Sequence, residues 1–418
     1  MMIHAEPRRA PLRRMLAATV ISVLPAGAMA ADLEITHWWT SGGEAAAVRE
    51  LATSFEAATD HAWIDGAIAG SGSTARPVII SRILGGDPMA ATQLNHGQQA
   101  QELVEAGMML DLTELAEEGN WAELIKPASL LDACTFEGRV YCVPLNIHSP
   151  QWMWTSIKAF EKAGVAPAQN WEELKAAAPA LREAGVQPLI EGLQPWQFAT
   201  LFQTLVSGLG GKDVYYGVYR DGDEAVLRGE EMAMVFEEAV AAREMLEGTN
   251  VQDWNLATAA VINGEAAANV MGDWAQGEFQ VAGQVAGQDY DCLMGLGGEP
   301  LISTGGDAFY FPANDDEAIT QGQKDLARLL ISPEAQIAFN TKKGSLPVRG
   351  DVDLAEAGAC MQKGLEALKA GKVIDSVDML ISPDVAGQVG DLLAEFFASD
   401  MSAEDAQERF AEVILSDK

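Results

Sequence analysis

LEITHWW, residues 33–39, alternates apolar and polar side chains as a strand does, and the run EAAAVRELATSFEAAT after it is alanine-rich and helical. Ser41 stands between them as a natural helix N-cap, with Glu44 three residues on to complete a capping box. HAWIDGAIAG gives a second strand, and VIISRIL a helix stopped by Gly85-Gly86-Asp87-Pro88. The alternation returns after residue 145. Strands and helices taking turns predict an α/β architecture with largely parallel sheets. A chain of 418 residues can bury a large core and is expected to divide into two lobes.

Residues 155 to 290 are rich in amphipathic helical segments such as WEELKAAAPALREAG and EMAMVFEEAVAAREMLEG, whose Met and aromatic stripes read as core. AAANVMGDW predicts a buried strand running to Met271, then a turn and a new helix at Asp273-Trp274, and AFYFPAN predicts another strand. The sequence holds no internal repeat and no low-complexity tract.

The first thirty residues read as a signal peptide rather than as part of the fold. Arg8, Arg9, Arg13 and Arg14 precede the apolar MLAATVISVLPAGAMA, and Ala28-Met29-Ala30 is an A-x-A cleavage site, so the mature chain is expected to start near Ala31. The apolar run from Met15 is too short to span a bilayer and contains Pro25. Arg13-Arg14-Met15-Leu16 faintly resembles a twin-arginine signal, and no cysteine follows the cleavage site to carry a lipid anchor. Losing four arginines and Glu6 takes the formal charge from −34 to −37. Such a surface repels phosphate backbones and anionic lipid heads, which argues against nucleic-acid binding and membrane-surface attachment. After residue 31 no apolar stretch is long enough for a membrane span.

Export would place Cys134, Cys142, Cys292 and Cys360 in an oxidising compartment. Cys134 and Cys142 flank TFEGRVY, which reads as a hairpin around Glu137-Gly138 that brings the two sulfurs together. The expected disulfides are therefore 134 with 142 and 292 with 360, against four buried free thiols.

Catalytic and metal signatures are missing. The five histidines, at 4, 37, 61, 96 and 148, show no H-E-x-x-H spacing, and no C-x-x-C occurs. GLGGKD (208–213) is not a P-loop, GSGST (70–74) is not a nucleophile elbow, and DGDEAVLRGEE lacks EF-hand ligands; each reads as a loop. No cofactor or metal is expected. Tryptophan stands out instead: of ten, Trp38, Trp39, Trp152, Trp154, Trp196 and Trp274 lie beside polar or glycine-rich segments. An indole face attracts the C–H face of a sugar ring, while carboxylates and amides take its hydroxyls. Successive strand side chains face opposite ways, so Trp38 and Trp39 cannot both point into the core.

HWWTSGGEA (37–45), GRVYCVPLNIH (138–148), WNLATA (254–259), MGDWAQGEF (271–279), ISPEAQ (331–336) and FNTKKGSLPVR (339–349) resemble, in the same order, segments of the periplasmic sugar-binding proteins of ABC transporters, most closely the glucose and mannose binders. The resemblance runs from about residue 31 to 350. It implies a two-lobe periplasmic-binding-protein fold with a hinge and an interlobe ligand cleft: lobe one over 31–144 with 304–344 returning to it, and lobe two over 145–303 with 345–418 packing mainly on it. It implies as ligand contacts Trp39 stacked on the sugar, Trp38 beside it, Glu44, Gln93 and His96 of QLNHG, Trp274, and Asp307 with Lys343 as a polar pair gripping hydroxyls. The glucose binders also carry a C-terminal histidine, where VIDSVDMLISPDV offers Asp375, Ser376 and Asp378.

The function these features imply is a monomeric periplasmic receptor, not an enzyme, that passes a mono- or small oligosaccharide, a glucose-like hexose foremost, to an inner-membrane permease. The alternatives are a secreted glycosidase using two of Glu44, Asp273, Glu278 and Asp307, roughly 5 to 10 Å apart across a glycosidic bond, or a chemotaxis sugar receptor.

Overall fold

The computed structural model describes residues 1–2 and 30–416. Of the leader read over residues 1–30, residues 3–29 lie outside the described residues. The strands that organise the fold are β1 (Asp32–His37), β2 (Ala62–Ala67), β3 (Ala91–Asn95), β4 (Cys142–Pro144), β5 (Trp152–Ser156), β6 (Gln187–Leu189), β7 (Ala266–Val270), β8 (Tyr290–Met294) and β9 (Asp307–Tyr310). They form two main sheets, ordered β2-β1-β3-β9-β4 and β8-β5-β7-β6. The fold is α/β, as expected.

The expectation of largely parallel sheets needs correction. β1 runs parallel to β2 and β3, as strand–helix–strand units require, but β9 is antiparallel to both β3 and β4. In the second sheet β6 and β7 are parallel, whereas β5 is antiparallel to both β7 and β8. The chain explains the mixture. Parallel neighbours need a crossover connection, here helical, while β5 and β9 each enter their sheet directly from the other lobe and run against their neighbours.

Two apolar clusters form the core: one fills the first sheet and continues onto the second through Trp152, Trp154 and Tyr290, and the other packs on the second sheet through Met153, Val270 and Leu293. Leu33, Ile35, Leu94 and Phe309, all 0 % exposed, belong to the first. Phe202, Phe236 and Phe410 meet in the second at centroid distances of 4.7 to 5.7 Å. Phe410 comes from Ala403–Leu415, so the C-terminal helices pack on the second sheet. Trp152 and Trp154 are core residues, stacked 5.8 Å apart.

Four helices position the site: α1 (Gly42–Ala58) and α2 (Ser71–Leu84) follow β1 and β2, α3 (Ala275–Val281) follows β7, and α4 (Pro333–Lys343) packs beside α1. Three glycine-rich stretches expected as loops are largely helical. GSGST opens α2, GLGGKD runs through Val206–Gly210 into the helix Gly211–Tyr219, and Glu224–Leu227 forms one helical turn. Their glycines cost helix propensity that burial of the neighbouring apolar residues outweighs.

Three crossings join the lobes. Leu145 N–H donates to Asp307 O at 2.8 Å, His148 N–H to Gly305 O at 2.8 Å, and Ile147 N–H to Leu346 O at 2.7 Å. Segments 145–148, 305–307 and 346 therefore form one narrow hydrogen-bonded ribbon. Both expected disulfides are present, Cys134–Cys142 and Cys292–Cys360. The first lies behind the predicted hairpin, whose strands pair as Thr135–Phe136 with Arg139–Val140. Glu137 and Gly138 turn the corner at φ 47° and 78°, the left-handed pair a two-residue hairpin requires. Among the described residues no helix is long and apolar enough to cross a membrane.

Candidate functional site

β1 ends at His37, and the chain then carries Trp38 and Trp39 off the C-terminal edge of the first sheet and into α1. Trp39 is enclosed, 1 % exposed, with Phe309 and Phe339 at 5.7 and 5.3 Å. Its ring also borders a buried ammonium, Lys343 Nζ, 6.0 Å from the centroid. Trp38 is the one left partly exposed, with the Arg76 guanidinium 5.9 Å from its ring.

The expected capping box does not close. Ser41 is the N-cap of α1 but caps no backbone amide; its hydroxyl donates to Glu44 Oε2 at 3.1 Å, and Glu44 Oε1 accepts from Lys343 Nζ at 3.0 Å. A buried ammonium attracts the carboxylate more strongly than one amide does. The freed N-terminus of α1 takes a carboxylate from elsewhere, Gly43 N–H donating to Glu278 Oε1 at 2.8 Å.

Lys343 ends α4 and is completely buried. Its Nζ lies 3.5 Å from His148 Nε2, and His148 Nδ1 lies 3.4 Å from Asp307 Oδ2. That geometry favours the tautomer with the proton on Nδ1, which donates to Asp307 and turns the Nε2 lone pair toward the ammonium. Asp307, at the start of β9, also accepts from Gln93 Nε2 at 2.7 Å and Asn146 Nδ2 at 3.0 Å. The Gln93 carbonyl oxygen accepts from Trp38 N–H at 3.0 Å, so both ends of that amide are engaged and it ties Trp38 to Asp307. From the other lobe come Trp274, 4.2 Å from the His148 ring and 5.9 Å from Lys343 Nζ, and Asp273, whose Oδ1 is 3.7 Å from His148 Nε2. Trp196 and Trp254 each stand 6.4 Å from Trp274.

Burial dominates the electrostatics. It lowers His148 to about 3 and His96 to about 4, so both imidazoles are neutral at pH 7. Burial raises Glu44 despite the opposing pull of Lys343, and raises Asp273 well above its ordinary value. On Asp307 burial acts upward too, but His148, Lys343, Asn146 and Gln93 together hold it below its ordinary value. Several buried polar atoms lack partners: both ring nitrogens of His96, Asp273 Oδ1 and Trp39 Nε1.

The structure thus brings Trp38, Trp39, Glu44, Gln93, Trp274, Asp307 and Lys343 together, and His96, which feels the charges of Asp307 and Asp378, stands beside them. Sequence reasoning missed His148 and used Asp273 only as a candidate hydrolytic acid. A signal for His148 was available: it ends GRVYCVPLNIH, where the chain leaves the first sheet. The C-terminal stretch sought for a histidine does approach, Asp378 Oδ2 accepting from Asn95 Nδ2 at 2.9 Å. No group of side chains suited to a metal ion occurs among the described residues.

Residues 39–337 match the family described as bacterial extracellular solute-binding protein. The chain belongs to that family. Among relatives of this solute-binding protein, a probable sugar-binding periplasmic protein of Rhizobium meliloti (strain 1021) is 35 % identical over 364 residues, 85 % of this chain and 86 % of the relative. The xylose/arabinose-binding protein of Haloferax volcanii is 24 % identical over 342 residues, 78 % and 71 % of the two chains. A solved chitin oligosaccharide binding protein superposes with TM-score 0.73 at 18 % identity, covering 93 % of this chain and 99 % of its own. An ABC transporter solute binding protein from Thermotoga lettingae, bound with α-D-tagatose, gives 0.74 at 17 % identity over 93 % and 99 %. These two share the fold. The relatives and structural neighbours are binding proteins, not enzymes, and here three of the four candidate acids are held by protein partners: Glu44 by Lys343, Glu278 by the α1 terminus, Asp307 by two amides.

Proposed function

We propose that this solute-binding protein is an exported receptor that captures a mono- or small oligosaccharide, a glucose-like hexose foremost, between its lobes and hands it to the permease of an ABC transporter in the inner membrane. The observation that carries the reading is the enclosed network Glu44–Lys343–His148–Asp307, walled by Trp38, Trp39 and Trp274. Charged and neutral donors and acceptors converge there beside indole faces, the combination a sugar ring with its hydroxyls requires. Relatives described as periplasmic sugar-binding proteins support the same class and the same compartment. Residues from both lobes contribute, so a bound ring would favour the closed arrangement, and closure is then a population shift rather than a chemical step. The hinge ribbon carries His148 and Asp307 themselves, so the network and the hinge share a backbone.

The test is titration calorimetry on residues 31–418 with glucose, mannose, galactose, xylose, maltose, trehalose and sucrose. Saturable binding to one of them at about micromolar affinity or tighter, near −8 kcal/mol, supports the reading. Folded protein that binds none of them contradicts it.

A further inference from the structure

Besides the hinge ribbon, a contact between two partly exposed side chains ties the lobes at the rim of the cleft. Ser71 opens α2 on lobe one, and Gln194 stands before the helix Pro195–Leu205 on lobe two. The Ser71 hydroxyl donates to Gln194 Oε1 at 3.2 Å. The same oxygen accepts from Trp196 Nε1 at 2.7 Å, and Gln194 Nε2 donates to Asp253 Oδ1 at 2.8 Å. An indole N–H only donates and a carboxylate only accepts, so these two partners fix which way the amide points. Trp196 is 6.4 Å from Trp274, and Asp253 precedes Trp254, which is also 6.4 Å from it. Gln194 thus reaches one indole beside Trp274 directly and the other through the residue before it. On lobe one the contact shares a turn with the seat of Trp38. A Cβ on Gly72 would stand 3.2 Å from the Trp38 ring. Ser71 itself is held at φ 67°, left-handed backbone that a residue with a side chain rarely adopts, after Gly70 at φ 106°. Backbone of this kind persists where its surroundings hold it, and it clusters at clamps and switches.

Resting on the reading of this cleft as the sugar site, we propose that Gln194 is a positioning residue that couples closure to the aromatic wall: it holds Trp196 beside Trp274 and takes Ser71 across the rim when the lobes meet. The bond forms in the closed arrangement alone, so it stabilises that state and not the open one. An enclosed guest leaves after this bond breaks, and its effect therefore falls on release rather than on encounter. A gate of this kind acts on every guest alike, tuning affinity without changing the order in which sugars are preferred.

The test is stopped-flow tryptophan fluorescence on residues 31–418 with the sugar that titrates, glucose first. Ser71→Ala should speed release about threefold to tenfold, the range of one neutral hydrogen bond, while the association rate changes by less than about twofold. Ser71→Gly, which adopts the left-handed φ freely, should release as fast as Ser71→Ala, because both lack the hydroxyl. Gln194→Ala should release faster than either, having also freed Trp196, and adding Ser71→Ala to it should change release by less than about twofold. Release at the wild-type rate in both Ser71 variants, or the full Ser71→Ala effect persisting beside Gln194→Ala, overturns the inference. A second readout needs no sugar. Amide hydrogen exchange in residues 71–76 should quicken in Gln194→Ala, and that in 194–198 should quicken in Ser71→Ala, each by at least about twofold. Exchange unchanged in both directions overturns the contact whether or not a sugar binds. If no sugar titrates, the sugar reading falls, and the exchange result still decides the gate.

Discussion

Lys343 and Glu44 show what one residue can and cannot announce. The segments containing them were recognisable, yet the partner that defines each lies 299 positions away. Locally Glu44 fits a capping box, and only the folded chain shows a buried ammonium taking precedence. We predict that Lys343→Met abolishes sugar binding and lowers unfolding free energy by about 3–5 kcal/mol, because it strands a buried carboxylate; urea denaturation checks it, and a loss under 1 kcal/mol would contradict the pairing. Trp39→Ala should cost about 3–5 kcal/mol as well, since the indole is wedged between Phe309 and Phe339 rather than lying open on a surface. His96 gives a pH signature. Its folded value near 4 lies below the ordinary 6.5, so the unfolded chain binds the extra proton between them. The stability this imidazole contributes is complete above pH 6.5 and is lost as pH falls toward 4. The raised Glu44 and Asp273 act oppositely in part of that window, so the comparison must be between proteins. Between pH 7 and 4 the sugar-free wild type should lose up to about 3 kcal/mol more than His96→Asn; parallel profiles in denaturant titrations would refute the assignment.

At the scale of elements, local patterns read well and pairings did not. The strand at 32–37, α1, the hairpin at 135–140 and the Cys134–Cys142 disulfide follow from alternation, spacing and turn chemistry, and Cys292–Cys360 is the pair that remains. Sheet order does not, because β9 slots between β3 and β4 only after the chain has built the second sheet. The three misread glycine-rich stretches fail for a related reason: they are mostly exposed or half-exposed themselves, and the buried apolar residues beside them, Ala75 and Ile79, Val214 and Tyr215, and Leu227, anchor each helix. The disulfides should differ in weight. Their sequence separations are 68 and 8, so chain-entropy reasoning gives about 4 kcal/mol for Cys292–Cys360 and about 2.5 kcal/mol for Cys134–Cys142. Melting of the Cys292→Ser/Cys360→Ser and Cys134→Ser/Cys142→Ser double variants should show the larger fall for the first, and the reverse order would contradict the argument. α1 and α3 meet backbone to backbone, and a Cβ on Gly43 would stand 2.6 Å from the Gly277 carbonyl carbon. Gly43→Ala must therefore part the two helices, at about 1–3 kcal/mol, visible as a lower melting temperature.

At the scale of the molecule, two sheets are joined by a ribbon that also carries part of the polar network, which is how a contact a few ångströms wide can be felt by both lobes. The acidic surface and the paucity of histidine had already turned the reading from catalysis and nucleic acid toward binding. Which hydroxyl each polar group would hold was not legible, since that depends on side chains from six separate segments meeting at the cleft. The most direct test is a crystal structure of the protein grown with the sugar that titrates. The account predicts the ring between the lobes, its hydroxyls within hydrogen-bond distance of Lys343, Asp307 and Asp273 and a face against Trp38, Trp39 or Trp274. A sugar bound elsewhere, with the Glu44–Lys343–His148–Asp307 network untouched, would contradict it.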